Sequence, residues 1–242
     1  MKINYKKSST TYSIGVFPTI ELISNHSVQI KKIYMSNKSD QNRGVQKIIK
    51  YAKNKNIPVS RDDNFVRRVS GMENAYIVAE FYKYESKLEP NTNHILLISI
   101  NDMGNTGTIL RTSLAFNVQN VGLIKPCVNI FDPKVIRASM GSLFKVNHEY
   151  FDSFENYLGK YHNNIYILTG DGKEQIQNLI FKKPFTLVFG GESTGVPNSL
   201  KNLGTTVKIP FSQNVDSLNV SVVSGVCLFY ANTNRSQLTS HN

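Results

Sequence analysis

Short apolar stretches alternate with helical patterns through residues 94–232, and this alternation restricts the fold more than any other feature. Ile95 to Ile100 is an apolar run between polar residues, as expected for a strand that is buried on both faces. Helical spacing follows over Asn105 to Phe116. The same alternation predicts strands at 121–124, 165–168, 185–189 and 206–209, and helices at 133–140, 151–161 and 218–230. Strands that alternate with helices form a mostly parallel sheet, so the predicted fold class is α/β.

A smaller α/β block precedes this pattern. The sequence predicts a helix over 14–23, a strand over 30–34, a basic helix over 44–54, and strands over 57–59 and 75–81. Tyr82 to Asn93 is polar, contains Pro90 and has no apolar period, which is typical of a linker. We therefore expect two domains, residues 1–90 with the linker at 82–93, and residues 94–242.

Positive charge is concentrated in the first block. The chain has 28 Lys and Arg against 17 Asp and Glu, a net charge of +11, and residues 1–90 hold 16 basic and 8 acidic side chains, a net of +8. Such a segment favours a polyanionic partner, although a solvated surface is the alternative. The basic and aromatic residues concerned are Lys47, Lys50, Tyr51, Lys53, Lys55, Arg61, Arg67 and Arg68. No basic amphipathic helix with a continuous apolar face points to a membrane.

Glycines, amides and hydroxyls follow three predicted strands of the second block. These segments are Asn101 to Arg111 (NDMGNTGTILR), Leu187 to Pro197 (LVFGGESTGVP) and Ile209 to Ser221 (IPFSQNVDSLNVS). Open α/β sheets bind ligands at the carboxyl ends of their strands. The sequence therefore predicts a binding site at this edge of the sheet.

Several enzyme classes are excluded by the same segments. Gly190 and Gly195 have the separation of two P-loop glycines, but Val196 and Pro197 occupy the positions that need Lys and Ser or Thr. No G-x-G-x-x-G follows a strand, which argues against a dinucleotide fold. The five histidines and two cysteines have no metal-ligand spacing, so no metal is expected.

The order and spacing of the three segments carry a family resemblance. They contain D-x-x-N-x-G-x-x-x-R from Asp102 to Arg111, G-x-E-x-x-G from Gly190 to Gly195, and I-P at 209–210 followed by S-L-N-V-S at 217–221. Together they resemble the three signature motifs of the SpoU or TrmH family of RNA methyltransferases, within the SPOUT class. Asp132 to Val146 is also similar to the family's stretch between its first two motifs. Met103 departs from the pattern, because the family usually has Pro there.

The resemblance implies a particular fold and reaction. The expected fold is a SPOUT trefoil-knotted domain with a mostly parallel sheet, preceded by a smaller N-terminal α/β domain like an RNA-binding ribosomal protein. Members transfer the methyl group of S-adenosylmethionine to a ribose 2′-hydroxyl of RNA and act as homodimers. An extra N-terminal domain favours large-subunit rRNA as the target. A tRNA 2′-O-methyltransferase and a non-catalytic RNA-binding protein are the alternatives. With no secretory signal or membrane span in the pattern, we expect a cytoplasmic protein.

The resemblance also assigns roles to individual residues. Its catalytic residues fall on Asn105, Arg111, Glu192, Ser217 and Asn219. A guanidinium does not deprotonate in proteins, so Arg111 is expected to act as a clamp on phosphate and alkoxide rather than as a base. Asn105, Ser217 and Asn219 would supply neutral hydrogen bonds around the ribose and the cofactor. Glu192 would fix that network or orient Arg111. The expected cofactor-binding residues are Thr169, Gly170, Gly190, Gly191, Glu192, Ile209, Leu218 and Asn219.

Simpler structural roles compete with these assignments. Ser217 and Asn219 could cap the last helix, and Arg111 could project into solvent. Asp102 and Asp132 are expected to be turn or cap residues rather than catalytic ones.

Overall fold

The computed structural model describes residues 8–192 and 194–233. Ser193 of the second motif, the start of the predicted first domain (residues 1–7) and the end of the predicted second domain (residues 234–242) lie outside the described residues. The chain forms two compact units. One contains the chain up to Tyr84 together with residues 129–145, and the other contains residues 85–128 and the chain from Val146 onward. The predicted division had placed residues 129–145 in the second domain.

The elements follow one another along the chain in α/β order. The first seven are β1 (Thr10–Ile14), α1 (Val16–His26), β2 (Ile30–Met35), α2 (Arg43–Asn54), β3 (Val59–Arg61), α3 (Asp63–Ser70) and β4 (Ile77–Tyr82). The next seven are β5 (His94–Ile98), α4 (Met103–Ala115), β6 (Asn120–Ile124), α5 (Pro133–Ala138), β7 (Asn147–Phe151), α6 (Phe154–Leu158) and β8 (Asn164–Leu168). The last are β9 (Glu174–Gln175), β10 (Phe185–Gly190), β11 (Thr205–Lys208) and α7 (Val220–Thr233). None of the described helices has the length and apolar character needed to cross a membrane.

The first unit has a four-stranded mixed sheet in the order β1-β4-β2-β3. Residues 129–145 belong to it because their apolar side chains are buried there. The Phe81 ring of β4 meets Phe131 and Phe144 in edge-on contacts, and the Thr11 hydroxyl donates to the carbonyl oxygen of Phe131 at 2.8 Å. Unit one is therefore built from two separate stretches of sequence.

The second unit has a seven-stranded sheet in the order β7-β6-β5-β10-β8-β11-β9. Every neighbouring pair in it is parallel, which confirms the predicted α/β class. After β5 the chain adds β6 and β7 on one side, and the remaining strands fill the other side. The direction of winding thus changes between β5 and β10, and ligands bind in the crevice at such a point.

Some short elements differ from the sequence predictions. Ile14 ends a strand rather than beginning a helix, because Gly15 has a φ of +99° and separates β1 from α1. Helix α3 was missed, although Asp62 caps it by accepting from the amide of Phe65. Strand β7 was missed, and the helix predicted over 151–161 is present only as the shorter α6.

The segment predicted as a linker has no helix or strand after Tyr82, the last residue of β4, yet its second half packs on unit two. Leu88 is buried in the core cluster of that unit. The Leu88 amide donates to Glu149 at 3.1 Å, the Leu88 carbonyl oxygen accepts from the Tyr161 hydroxyl at 3.0 Å, and Ser86 donates to the carbonyl oxygen of His148 at 2.7 Å. Residues 85–93 are therefore part of the second unit's structure rather than a free tether.

A buried polar network lies at the amino ends of β5 and β10. His94 Nε2 lies 2.9 Å from the carbonyl oxygen of Glu89, which can only accept, so Nε2 carries the proton. His94 Nδ1 then accepts from the Tyr157 hydroxyl at 2.7 Å, and that hydroxyl accepts from Thr186 Oγ1 at 2.6 Å. Burial lowers the pKa of His94, which favours this neutral ring.

Tyr157→Phe is expected to reduce the free energy of unfolding by about 1–3 kcal/mol, because it leaves His94 Nδ1 buried without a donor. Urea unfolding at pH 7.5 measures the change. Tyr230→Phe is the matched control, since Tyr230 is only partly buried and its ring contact with Phe229 does not involve the hydroxyl. Equal unfolding midpoints for the two variants would contradict the role given to the network.

Candidate active site

The start of α4 presents the first motif at the carboxyl end of β5. Asp102 precedes the helix and its carboxylate accepts from the amide of Asn105 at 2.7 Å, which confirms it as a cap residue. Asp132 caps α5 in the same way, by accepting from the amide of Lys134. The cap fixes the first turn of α4 and with it the position of the Asn105 side chain.

The second motif is a tight loop that needs glycine at positions 190, 191 and 195. A Cβ on Gly190 would lie 2.1 Å from the carbonyl carbon of Gly195, and a Cβ on Gly191 would lie 2.6 Å from the carbonyl oxygen of Ser99. Gly195 has a φ of +59°, and its amide donates to the carbonyl oxygen of Gly191 at 2.7 Å. The loop therefore folds back on the end of β10 and exposes Glu192.

One residue from each motif meets in a single hydrogen-bond network. Asn105 Nδ2 donates to Glu192 Oε1, and Asn219 Nδ2 donates to Asn105 Oδ1 at 3.0 Å. Asn219 Nδ2 also lies 3.4 Å from Glu192 Oε1. The structure thus brings together Asn105, Glu192 and Asn219, as expected for segments that follow strands of one parallel sheet.

Asn219 has a second, structural contact. Its Oδ1 accepts from the amide of Ser221 at 2.8 Å in the first turn of α7, as the cap interpretation predicted. Because the same side chain caps α7 and contacts Asn105, the two roles do not exclude each other.

Two adjoining cavities of about 160 and 250 Å³ lie at this edge of the sheet. Both are lined by Leu168, Ser217, Leu218 and Val223. All eight predicted cofactor residues line one or both: Thr169, Gly170, Ile209 and Leu218 line the smaller cavity, and Gly190, Gly191, Glu192, Leu218 and Asn219 line the larger. The sequence prediction missed an apolar set of lining residues from strand ends, a loop and the start of α7, namely Leu168, Phe189, Val207, Phe211, Val220 and Val223.

An ion pair beside the smaller cavity was also missed. Lys201 Nζ lies 2.8 Å from both carboxylate oxygens of Asp171, and Thr169 Oγ1 donates to Asp171 at 2.6 Å. These contacts, with Lys201 the stronger, lower the pKa of Asp171 to about 2. The pair ties the loop after β8 to the turn before β11. Its residues lie outside the three motifs, so the motifs could not have indicated it.

Arg111 is not part of this cluster within one chain. It lies six residues beyond Asn105 on α4, about 9 Å further along the helix axis, and on a different face. Its side chain is exposed, and among the described residues it lines neither cavity. Glu192 makes its hydrogen bonds with Asn105 and Asn219 rather than with Arg111.

The described residues contain no group of three His, Cys, Asp or Glu side chains that could hold a metal ion.

Comparison with known proteins gives these motifs a family. The SpoU rRNA Methylase family profile matches residues 92–229. An uncharacterized tRNA/rRNA methyltransferase of Borreliella burgdorferi is 30% identical over 236 residues, which cover 94% of this chain and 95% of the relative. One from Synechocystis is 35% identical over 141 residues, and the chain spans about half of that relative's length (52%).

A solved structure agrees with the sequence comparisons. The SpoU methyltransferase AviRb from Streptomyces viridochromogenes, in complex with the cofactor AdoMet, superimposes with a TM-score of 0.83 at 17% identity, covering 96% of this chain and 94% of that one. At this identity the match establishes the fold. Because the family profile covers more than half of the chain and a relative aligns along nearly all of it, this chain belongs to the SpoU rRNA Methylase family.

Proposed function

We propose that the protein transfers the methyl group of S-adenosylmethionine to a ribose 2′-hydroxyl of RNA. One observation carries the proposal: residues of the second and third motifs line two adjoining cavities, and one residue from each of the three motifs shares a hydrogen-bond network beside them. A non-catalytic RNA-binding protein has no need of such a network. Family membership supports RNA as the substrate class.

The cavities fit the cofactor by their chemistry. Apolar walls at Leu168 and Val223 suit the flat adenine, and the backbone near Gly170, Ile209 and Leu218 offers amides and carbonyls for its polar edge. Gly190 and Gly195, which approach each other closely, present backbone alone to the larger cavity. When bound there, S-adenosylmethionine supplies an electrophilic methyl group on its sulfonium.

The residues of the network would orient the reacting groups. Asn105 and Asn219 hold one oxygen of the Glu192 carboxylate through neutral amide donors. The second oxygen has no hydrogen-bond partner among residues 8–192 and 194–233 and can accept from a substrate hydroxyl or a cofactor ammonium. Ser217 lines both cavities and offers a further hydroxyl. A ribose hydroxyl is a weak nucleophile near neutral pH, so its developing alkoxide needs a cation. Arg111 is the cation that we assign to this task.

We propose that the active form is a homodimer in which Arg111 comes from the partner subunit. Within one chain Arg111 lies apart from the cavities, whereas α7 exposes Val222 and Phe229 by 53% and 52%. Exposed apolar side chains at this spacing favour a covered helix face. A second copy of the chain bound to α7 would cover these side chains. Because α7 packs against α4, which carries Arg111, the second copy would also bring its own arginine to the site. We include the trefoil knot of the SPOUT class in the same proposal. In that knot, residues 209–219 would be the segment that leads the chain back to α4.

The N-terminal unit is proposed as the RNA-binding domain, with large-subunit rRNA as the favoured target. The net charge of +8 over residues 1–90 supports RNA binding by this part of the chain. A tRNA target is the second candidate, because both sequence relatives carry the name tRNA/rRNA methyltransferase. Mapping of ribose methylation in cells with and without the gene distinguishes the two targets.

Titration calorimetry with S-adenosylmethionine is expected to give about one site per chain, since the residues assigned to the cofactor line two adjoining cavities at one edge of the sheet. Incubation with tritiated cofactor and unmodified rRNA or tRNA is expected to label the RNA. Nuclease digestion should then recover the label in 2′-O-methylnucleosides. Absence of binding heat together with absence of label would contradict the proposed reaction.

Removal of residues 1–84 is expected to make the rest of the chain insoluble, because it uncovers apolar residues of 129–145. Those buried in unit one are Ile130, Phe131, Val135, Ile136, Leu143 and Phe144. Co-expression of residues 1–84 as a separate peptide should restore solubility. Phe81→Asp in that peptide should abolish the rescue, whereas Tyr82→Asp, at an exposed neighbouring position, should keep it. A truncated protein that is soluble alone would contradict the assignment of 129–145 to unit one.

A further inference from the structure

The first unit has a cavity of its own, of about 400 Å³, within the roughly 300–1,000 Å³ of pockets that hold small ligands. It lies where β2 ends, beside α3 and the turn before β4. Ser36 and Lys38 line it from the end of β2, Val66 and Arg67 from α3, and Met72 and Ala75 from the turn. The motifs of the family lie in the second unit and do not explain this cavity.

Ser36 is the feature of the cavity that points to a ligand. The residue is only 5% exposed, and its hydroxyl has no hydrogen-bond partner among residues 8–192 and 194–233. Its backbone is held in place, since the amide donates to the carbonyl oxygen of Tyr76 at 2.9 Å and the carbonyl oxygen accepts from the amide of Ser39 at 3.2 Å. A buried polar group without a partner destabilises a fold and is rare in native proteins. Because the hydroxyl oxygen is covered in this rotamer, a polar group entering the cavity would supply that partner once the serine side chain rotates toward it.

The remaining walls indicate the class of that ligand. Val66 and Ala75 are buried and Met72 is partly buried, so the cavity has an apolar floor. Lys38 and Arg67 are exposed at its rim and can contact phosphate, whereas the Asp63 carboxylate in the same lining already accepts from the backbone amide and side chain of Asn37. Glu73, also in the lining, can accept from an exocyclic amino group. A flat apolar face, a polar edge and a phosphate are the parts of a nucleotide.

We propose that this cavity binds one unstacked nucleotide of a single-stranded segment of the RNA substrate. The base lies on Val66, Met72 and Ala75, and its polar edge bonds the Ser36 hydroxyl. Lys38 and Arg67 hold the adjoining phosphates. Sequence-specific recognition of RNA mostly targets such splayed bases in loops, bulges and ends. The inference rests on the proposed function, because it takes RNA as the substrate.

Ser36→Ala tests the assignment, with Ser39→Ala as the matched control. Ser39 is also buried, but its hydroxyl donates to the carbonyl oxygen of Ser36 and it does not line the cavity. The probes are the rRNA or tRNA that accepts methyl groups from the unmodified protein, and short labelled oligoribonucleotides of A, C or U for anisotropy titration. Urea unfolding and the affinity for S-adenosylmethionine are measured in parallel.

Ser36→Ala is expected to weaken RNA binding roughly tenfold, the scale of one base-edge contact, and to raise KM with kcat unchanged. Its unfolding midpoint should stay the same or rise, because an unpaired buried hydroxyl is removed. Ser39→Ala should lower the midpoint and leave RNA affinity within twofold. Lys38→Ala and Arg67→Ala should each flatten the slope of log affinity against log salt by about 0.7.

RNA affinity unchanged by Ser36→Ala, in a protein that still methylates RNA, would overturn the nucleotide cavity and leave the proposed function standing. Failure of the unmodified protein to bind or methylate any RNA would overturn both. Assays of RNA binding and methylation by the unmodified protein are enough to distinguish the two failures.

Discussion

Arg111→Ala is expected to lower kcat for methyl transfer by at least 10²- to 10³-fold, the scale observed when a donor to a developing oxyanion is removed. Affinity for S-adenosylmethionine should change by only a few-fold, because Arg111 does not line either cavity of its own chain in the described residues. Arg111→Lys should rescue little, since a point charge cannot replace the planar fork of a guanidinium. Loss of cofactor binding in Arg111→Ala would contradict the role assigned to it.

A mixed dimer decides whether Arg111 acts within its own chain or across the dimer. Chains with Arg111→Ala and chains with Glu192→Ala are inactive as pure dimers in either case. If the arginine acts across the dimer, mixing the two restores one intact site in each mixed dimer. If it acts within its chain, both sites of the mixed dimer lack one residue and activity stays absent. The two chains can carry different affinity tags so that the mixed dimer is purified before assay.

Gly190→Ala is expected to abolish cofactor binding by displacing the loop that holds Glu192. The added Cβ would lie 2.1 Å from one backbone atom of Gly195 and 2.3 Å from another, and backbone at that distance must move. Calorimetry with S-adenosylmethionine measures the loss, and urea unfolding reports the accompanying strain.

Gly170→Ala is the matched control for this loop. Gly170 lines the neighbouring cavity at the same edge of the sheet, and a Cβ there meets no atom within 4 Å. Its affinity for the cofactor should stay within a few-fold of the unmodified protein. Normal cofactor binding by Gly190→Ala would contradict the close approach of the loop to β10.

The parallel sheet and the motif positions could be predicted because they depend on local pattern. Runs such as Ile95 to Ile100 are buried on both faces, and the glycines and amides that follow them can only lie at strand ends. The segments that carry Asn105, Glu192 and Asn219 were expected at one edge of the sheet for that reason, and the three side chains share hydrogen bonds. The Asp171 and Lys201 pair depends on two loops that no motif connects.

Features that depend on long-range packing could not be predicted. The apolar spacing of Val135 and Ile136 fits a helix in either unit, and only the contacts of Phe131 and Phe144 with Phe81 decide which unit it joins. Residues 85–93 are polar enough to suggest a free linker, yet Leu88 alone among them is buried in the second unit's core. The displacement of Arg111 from the cavities follows from helix geometry, which motif matching does not consider.

The split composition of unit one has a consequence for synthesis on the ribosome. Its core needs residues 129–145, so the first 84 residues cannot complete their fold when they emerge. At about 5–20 residues per second, the 61 residues from 85 to 145 take roughly 3–12 s to be added. During that interval Phe81 and the buried face of β4 lack their partners. The nascent chain therefore presents an apolar surface to chaperones for seconds, and β5, α4 and β6 emerge before the N-terminal unit can close.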